Sequence, residues 1–173
     1  LVWPTATGLK RRLLMMTDKI TCACATHVIP EGKGVMDDLR SGGITHKPMR
    51  VLGHGNVKGV DMEHFDPARF EPHDSRGVFT FLFVGRIVGD KGINELVEAF
   101  ARLHEELPNT RLMMVGNYET ELDPVSQDTR RLIDAMDSIE TPGTKRGDDL
   151  VRAYAEADCF VMPSYREGFP NVV

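Results

Sequence analysis

Residues 78 to 84 read Val-Phe-Thr-Phe-Leu-Phe-Val, and this run narrows the possible folds more than any other feature of the chain. It is short, uncharged and rich in β-branched and aromatic side chains, the mark of a buried strand. Gly85 ends it. Beyond the turn Arg86 to Asp90, apolar residues recur at Ile93, Leu96, Val97, Phe100, Leu103 and Leu107. Spacings of three and four put those side chains on one face of a helix, which Pro108 and Asn109 stop. A second strand follows from Leu112 to Val115, closed by Gly116. A more polar helix covers about Ser126 to Met136, with Leu132, Ile133 and Met136 inward, and Thr141 to Gly147 are turn residues. A further helix begins near Asp148 with Leu150, Val151, Tyr154 and Ala155 inward. A third strand then runs from Cys159 to Met162, closed by Pro163. Strands alternating with helices at these lengths predict an α/β fold, a parallel sheet flanked by helices.

The first half carries weaker patterns. Leu9 to Met16 reads as a short basic-apolar helix, Lys19 to Val28 as a strand ending near His27, and Lys33 to Ser41 as a helix ended by Gly42 and Gly43. Arg50 to Leu52 reads as a brief strand and Gly53 to Pro67 as loop. Glu71 to Gly77 is polar and turn-rich, a connection into the clearer region, so the seam lies between about 43 and 77.

Composition bounds the function. The chain has 173 residues, about one domain's worth. Apolar residues at 41% and charged residues at 27% exclude a disordered or collagen-like chain. Twenty-one Lys and Arg against 26 Asp and Glu leave a net charge of -5, so a whole-domain basic footprint for nucleic acid is absent. No apolar run approaches the roughly 18 residues of a membrane span. The three cysteines include Cys22 and Cys24 with one residue between them, not the two of a redox or zinc motif, which predicts reduced thiols in a cytoplasmic chain. The chain opens Leu1-Val2-Trp3 and stops in mid-pattern, and the expectation is a fragment.

In open parallel sheets, ligands bind at the carboxyl ends of the strands. The first such end is Gly85-Arg86-Ile87-Val88-Gly89-Asp90-Lys91-Gly92. Two cations five apart flank a glycine-bearing turn before a helix start, where unpaired N–H groups and a partial positive charge suit phosphate oxygens. Solvated loop charges, with Asp90 paired to one of them, explain the same residues equally well. The second end, Gly116-Asn117-Tyr118-Glu119, suits an approach to a base or sugar, or is simply a turn. The third is Pro163-Ser164-Tyr165-Arg166-Glu167-Gly168-Phe169-Pro170-Asn171. Ser164 and Glu167 have capping-box spacing, but a helix capped by Ser164 would carry Pro170 in its second turn, where proline clashes. Pro170 fits better as the first helical residue, leaving Glu167 and Gly168 on the loop above the strand. A carboxylate there accepts hydrogen bonds from sugar hydroxyls; the competing reading is a surface Glu paired with Arg166.

Other motifs fail on context. Gly53 to Gly59 nearly matches a dinucleotide fingerprint, but its third glycine is one position late and no amphipathic helix follows. His104 lacks the second histidine of a zinc-protease helix, and Ser164 lacks the glycine frame of a hydrolase elbow. No Asp-x-Asp pair occurs. Lys10-Arg11-Arg12 reads as a solvated helix face, and His54 and His64 as loop residues.

Taken in order, the segments Gly85-Arg86 through Lys91-Gly92 and Pro163 through Asn171 make the chain resemble the donor-binding half of retaining GT-B glycosyltransferases, specifically family four. The approach Tyr154 to Ser164 is similar to that family's, as is Gly59-Val60-Asp61 with Phe65-Asp66-Pro67, which resembles the segment linking its two halves. The resemblance covers residues 50 to 173 well and 19 to 49 weakly. It implies a Rossmann-like sheet, with residues 1–45 a remnant of the acceptor domain, 46–77 the interdomain segment, and 78–173 an incomplete donor domain. It implies that Arg86 and Lys91 hold the nucleotide diphosphate and stabilise charge on the leaving group, and that Glu167 holds hydroxyls of the transferred sugar. Gly85, Gly116, Gly168, Phe169, Pro170 and Asn171 would line the donor, and the turns near Gly116 and from Thr141 to Lys145 would lie close to the base.

The same resemblance implies a metal-independent transferase without cofactor. Its donor would be a nucleotide-diphospho-sugar, UDP-linked by preference, and its acceptor a glycan or lipid-linked sugar of bacterial capsule, exopolysaccharide or lipopolysaccharide. The parent would be cytoplasmic, peripheral at the inner membrane face. Two departures stand out. The family's second glutamate, eight positions after the first, would fall beyond Val173, and Lys58 stands where the family has Asn. A cut there leaves part of the sheet unpaired and apolar surface uncovered. The alternatives from other classes are a nucleotide- or phosphate-binding module without catalysis, and a nicotinamide-dependent oxidoreductase using Gly53 to Gly59.

Overall fold

In the computed structural model, residues 3–4, 6–53, 55, 59–70, 77–121, 123–165 and 167 are described. They divide into two compact units, Leu1–Gly59 and Val60–Arg166, and Glu167 groups with the first.

The second unit is the predicted α/β sheet. Its elements are β1 (Phe79–Val84), α3 (Ile93–Glu106), β2 (Thr110–Val115), α4 (Gln127–Ala135), β3 (Ile139–Gly143), α5 (Asp148–Ala155) and β4 (Cys159–Phe160), with 3-10 turns at Pro67–Arg69 and Gly89–Lys91; the first unit holds α1 (Gly8–Cys24) and α2 (Lys33–Ser41). All pairings are parallel and the order is β3-β2-β1-β4. The chain therefore moves outward from β1 to β3, then returns through α5 to the other side of β1. That reversal is a topological switch point, where neighbouring loops leave the sheet toward opposite faces.

Both faces are covered, which is why β1 and β2 are mostly apolar rather than alternating, with Thr80, Thr110 and Arg111 the exceptions. Phe83, Leu112 and Met114 pack with Ile93, Val97 and Phe100 of α3 and Ile133 of α4. Leu82, Met113 and Val115 point the other way, onto Ala153, Leu150 and Tyr154 of α5. Burial raises the Tyr154 hydroxyl to about 12. On the first face, two apolar clefts of about 410 and 320 Å3 lie open beside α3, lined among others by Phe79, Phe81, Phe100 and Leu103.

Several elements differ from expectation. Thr141 to Gly143, read as turn, belong to β3, because the backbone of Ile139–Gly143 pairs with β2 despite Pro142. Leu132 and Leu107 are exposed rather than inward, and Thr129 takes the buried place on α4 instead. The last strand is Cys159–Phe160, and Met162 is exposed.

In the first unit, α1 (Gly8–Cys24) and α2 (Lys33–Ser41) close around Trp3, Cys22, Leu39 and Ile44. The predicted strand Lys19 to Val28 is instead mostly the second half of α1. Its β-branched residues favoured a strand, but Leu14, Met15 and Cys22 share one helical face on this core. The end of α1 is capped from a distance: the Lys47 ammonium donates to the carbonyls of Cys22, Ala23 and Ala25 at 2.9, 2.8 and 2.6 Å. The predicted strand Arg50 to Leu52 does not form; a single parallel bridge joins Val28 to Met49. At the end of α2, Gly43 takes φ 58° and Ile44 N–H returns to the Leu39 carbonyl at 2.9 Å. On the opposite face of α1, Leu9, Leu13, Met16 and Ile20 are exposed. All three cysteines are free thiols.

Candidate active site

The site is assembled by backbone approach at the carboxyl ends of β1 and β2. Gly85 N–H donates to the Val115 carbonyl, and Ile87 N–H to the Asn117 carbonyl, each at 2.9 Å. The ladder thus continues past both strands, as far as a bridge between Ile87 and Tyr118. Only glycine fits at the crossing: a Cβ on Gly116 would stand 1.8 Å from the Gly85 carbonyl oxygen, at φ 154°. Tyr118 is held in turn by the Arg130 guanidinium, 4.0 Å over its ring.

The first loop is fastened at several further points. Gly89 N–H donates to the Asp123 carbonyl at 3.0 Å, and the Asp123 carboxylate accepts from Asp90 N–H. Gly92 turns the chain into α3 with φ 69°, and a Cβ there would lie 2.3 Å from the Pro163 carbonyl oxygen. The loops after β1 and β4 therefore touch at the switch point. Tyr165 adds to that contact: its N–H donates to the Asp90 carbonyl at 3.2 Å and its hydroxyl to Glu95 at 2.6 Å. Accepting this hydrogen bond holds the Glu95 carboxyl below its usual range, and the same bond raises the Tyr165 hydroxyl.

The loops after β1, β2 and β3 line an open cavity of about 350 Å3, with Gly85, Arg86, Gly116, Glu119, Thr144 and Lys145 among its walls. Gly85, Arg86 and Gly116 thus lie together, and the turn that the resemblance put near a base supplies Thr144 and Lys145. Arg86 is half exposed and pairs with Glu119 at 2.7 Å and with Asp90 at 3.9 Å. Lys91 ends the 3-10 turn before Gly92 and is not among the described lining residues. Glu167 is exposed and groups with the other unit; Gly168, Phe169, Pro170 and Asn171 lie outside the described residues. Sequence reasoning missed the Glu119 and Asp123 contacts. Each partner lies 33 residues from the group it binds, so no local spacing marks either one.

Among the described residues, no three His, Cys, Asp or Glu side chains gather as a metal-binding set, and no helix is long and apolar enough to cross a membrane.

Comparison with known proteins places this architecture. Residues 78–173 match the family model described as glycosyl transferases group 1. The capsular polysaccharide biosynthesis glycosyltransferase CapM of Staphylococcus aureus is 30% identical over 97% of this chain and 45% of its own length. Among solved structures, sucrose-phosphate synthase from Thermosynechococcus elongatus superposes with TM-score 0.67 at 21% identity, covering 98% of this chain and 43% of that one. Anabaena HepE in complex with UDP superposes with TM-score 0.65 at 18% identity, covering 86% and 41%. The chain spans less than half the length of these relatives. The matched residues include the whole four-stranded sheet and the loops that line the cavity, and the chain belongs to the group 1 glycosyltransferase family.

Proposed function

We propose that this chain supplies the donor-binding part of a retaining, metal-independent glycosyltransferase of family four that uses a nucleotide-diphospho-sugar, UDP-linked by preference. The observation that carries this reading is the cavity at the ends of β1 and β2, where the Arg86 guanidinium and Lys145 meet the glycine turn of Gly85 and Gly116. As the glycosidic bond lengthens, its bonding pair passes to the diphosphate oxygen, and the leaving group gains one negative charge beside those cations. Groups fixed in place before the reaction stabilise that charge without reorganising. Arg86, through its planar fork, holds the diphosphate oxygens, Lys91 adds a second positive charge from the same loop, and Glu167 holds hydroxyls of the transferred hexosyl or N-acetylhexosaminyl group. Gly168 to Asn171 line the sugar and phosphate.

The likeness to CapM supports a role in building a bacterial capsular or related surface polysaccharide, with a glycan or lipid-linked acceptor. Complexes such as that of HepE with UDP support the choice of base. The protein would work in the cytoplasm, at the inner face of the membrane, with residues 1–45 contributing to the acceptor side and 46–77 linking the two halves. A nucleotide- or phosphate-binding module without catalysis is the second reading, since the cations of the same cavity serve binding by itself.

Calorimetric titration with UDP and GDP, repeated on Arg86→Ala and Lys91→Ala, tests the proposal. Tighter binding of UDP than GDP, weakened at least about tenfold in each variant, is expected for lost charge-assisted contacts to phosphate. Binding of UDP that survives both substitutions would sink it.

A further inference from the structure

The Arg86 guanidinium already holds an anion. The Glu119 carboxylate accepts from its Nη1 at 2.7 Å, and both side chains line the same cavity as Lys145. Asp90 stands 3.9 Å from the other terminal nitrogen. Glu119 does not hang from a free loop: the residue before it, Tyr118, bridges to Ile87 and lies under Arg130.

Resting on the donor-binding reading above, we propose that Glu119 is the resident counter-ion of Arg86, a competitor that every incoming anion must displace. A carboxylate–guanidinium contact is charge-assisted, as is a phosphate–guanidinium contact. A ligand with one phosphate exchanges one such contact for another and gains little. A diphosphate makes the same exchange and brings a second charged group into a cavity that also holds Lys145. The displacement cost is common to both ligand classes, so Glu119 weakens each alike and keeps monophosphates and free phosphate at low occupancy. Glu119→Gln keeps the size of the side chain and its acceptor oxygen and removes only the charge, so it lowers that cost for both classes.

The test is calorimetric titration of the whole chain as wild type, Glu119→Gln, Arg86→Ala and the double variant, with UDP, UMP, pyrophosphate and phosphate as probes. In Glu119→Gln the probes bind more tightly by about threefold to fivefold, the scale of a partly exposed ion pair. The tightening is absent on the Arg86→Ala background. Unchanged or weaker binding in Glu119→Gln, or a tightening that persists without Arg86, overturns the proposal. UDP binding that depends on Arg86 but ignores Glu119 overturns it and leaves the donor reading standing. The tightening seen with pyrophosphate and phosphate, without any gain from the nucleoside, keeps the proposal and removes the nucleotide reading. No binding of any probe to wild type or Glu119→Gln removes both.

Discussion

The two units of this chain are held together by different means. Residues of the second unit seal a sheet from both sides, and Leu82, Ile87, Ile93, Val97, Leu112 and Met114 are wholly excluded from water. The first unit has a centre of four buried side chains, and its helix ends depend on polar fastenings, Lys47 on α1 and the Gly43 turn on α2. A small core leaves less apolar burial to offset chain entropy, so single caps weigh more. The sheet unit is vulnerable instead where backbones touch. Substitutions that separate the two units in their response sharpen this contrast, and substitutions that move both together break it.

The largest effect is expected from Gly116→Ala. Its Cβ would meet the Gly85 carbonyl at 1.8 Å, backbone against backbone with no side chain able to yield. A loss of about 3 kcal/mol or more follows from forced overpacking at a fixed crossing. Trp3 is the single tryptophan and sits in the first unit, so its fluorescence reports that unit alone. In urea, the transition followed by hydrogen exchange of β1 and β2 amides should move while the Trp3 transition holds; a joint shift would merge the two units into one cooperative body.

Lys47→Met is the converse. It keeps the apolar stem and removes the ammonium shared by the α1 carbonyls of Cys22 and Ala23 and by that of Ala25 just beyond the helix. About 2 kcal/mol is expected, the scale of hydrogen bonds to a charged group. The Trp3 transition should fall and amides in the last turn of α1 should exchange faster, with the β1 and β2 amides unchanged.

The smallest effect concerns Asp148 at the start of α5. Arg69 donates to it at 2.7 Å and holds its carboxyl below the ordinary value of 3.8. Because the folded value is depressed, the contribution is complete above the unfolded pKa and is lost as pH falls through the folded one. As pH falls through and below the ordinary carboxylate range, wild type should lose sheet-unit stability that Asp148→Asn does not lose. Both groups are solvent-exposed, so about 0.15 M salt should shrink the difference further. An identical acid limb in the two proteins would show that the pair contributes nothing.

Legibility tracked these differences in packing. The run from Val78 to Val84 reads as a strand because burial on both faces favours a nearly continuous apolar run, and β1 occupies Phe79–Val84. Arg86 stands out in the sequence because cations beside glycines at a strand end are chemically unusual. Its partner Glu119 does not, because a contact between loops leaves no period in the sequence. Thr141-Pro142-Gly143 has the composition of a turn, yet it extends β3, since a parallel neighbour needs only its backbone there. Ile20 and Thr21 favour a strand locally, and the helix prevailed because Cys22 reaches a core with Trp3 and Leu39 while Lys47 caps the end.

The sequence by itself determined the strand–helix alternation, the parallel sheet and the family, because periodicity and ordered motifs are local and survive without coordinates. Tertiary structure alone decided which charges meet. Whether Arg86 faces water, Asp90 or Glu119 depends on how closely two adjacent loops approach, and that distance is set by Gly116 lying against the Gly85 carbonyl, 31 residues away along the chain but in van der Waals contact in the fold.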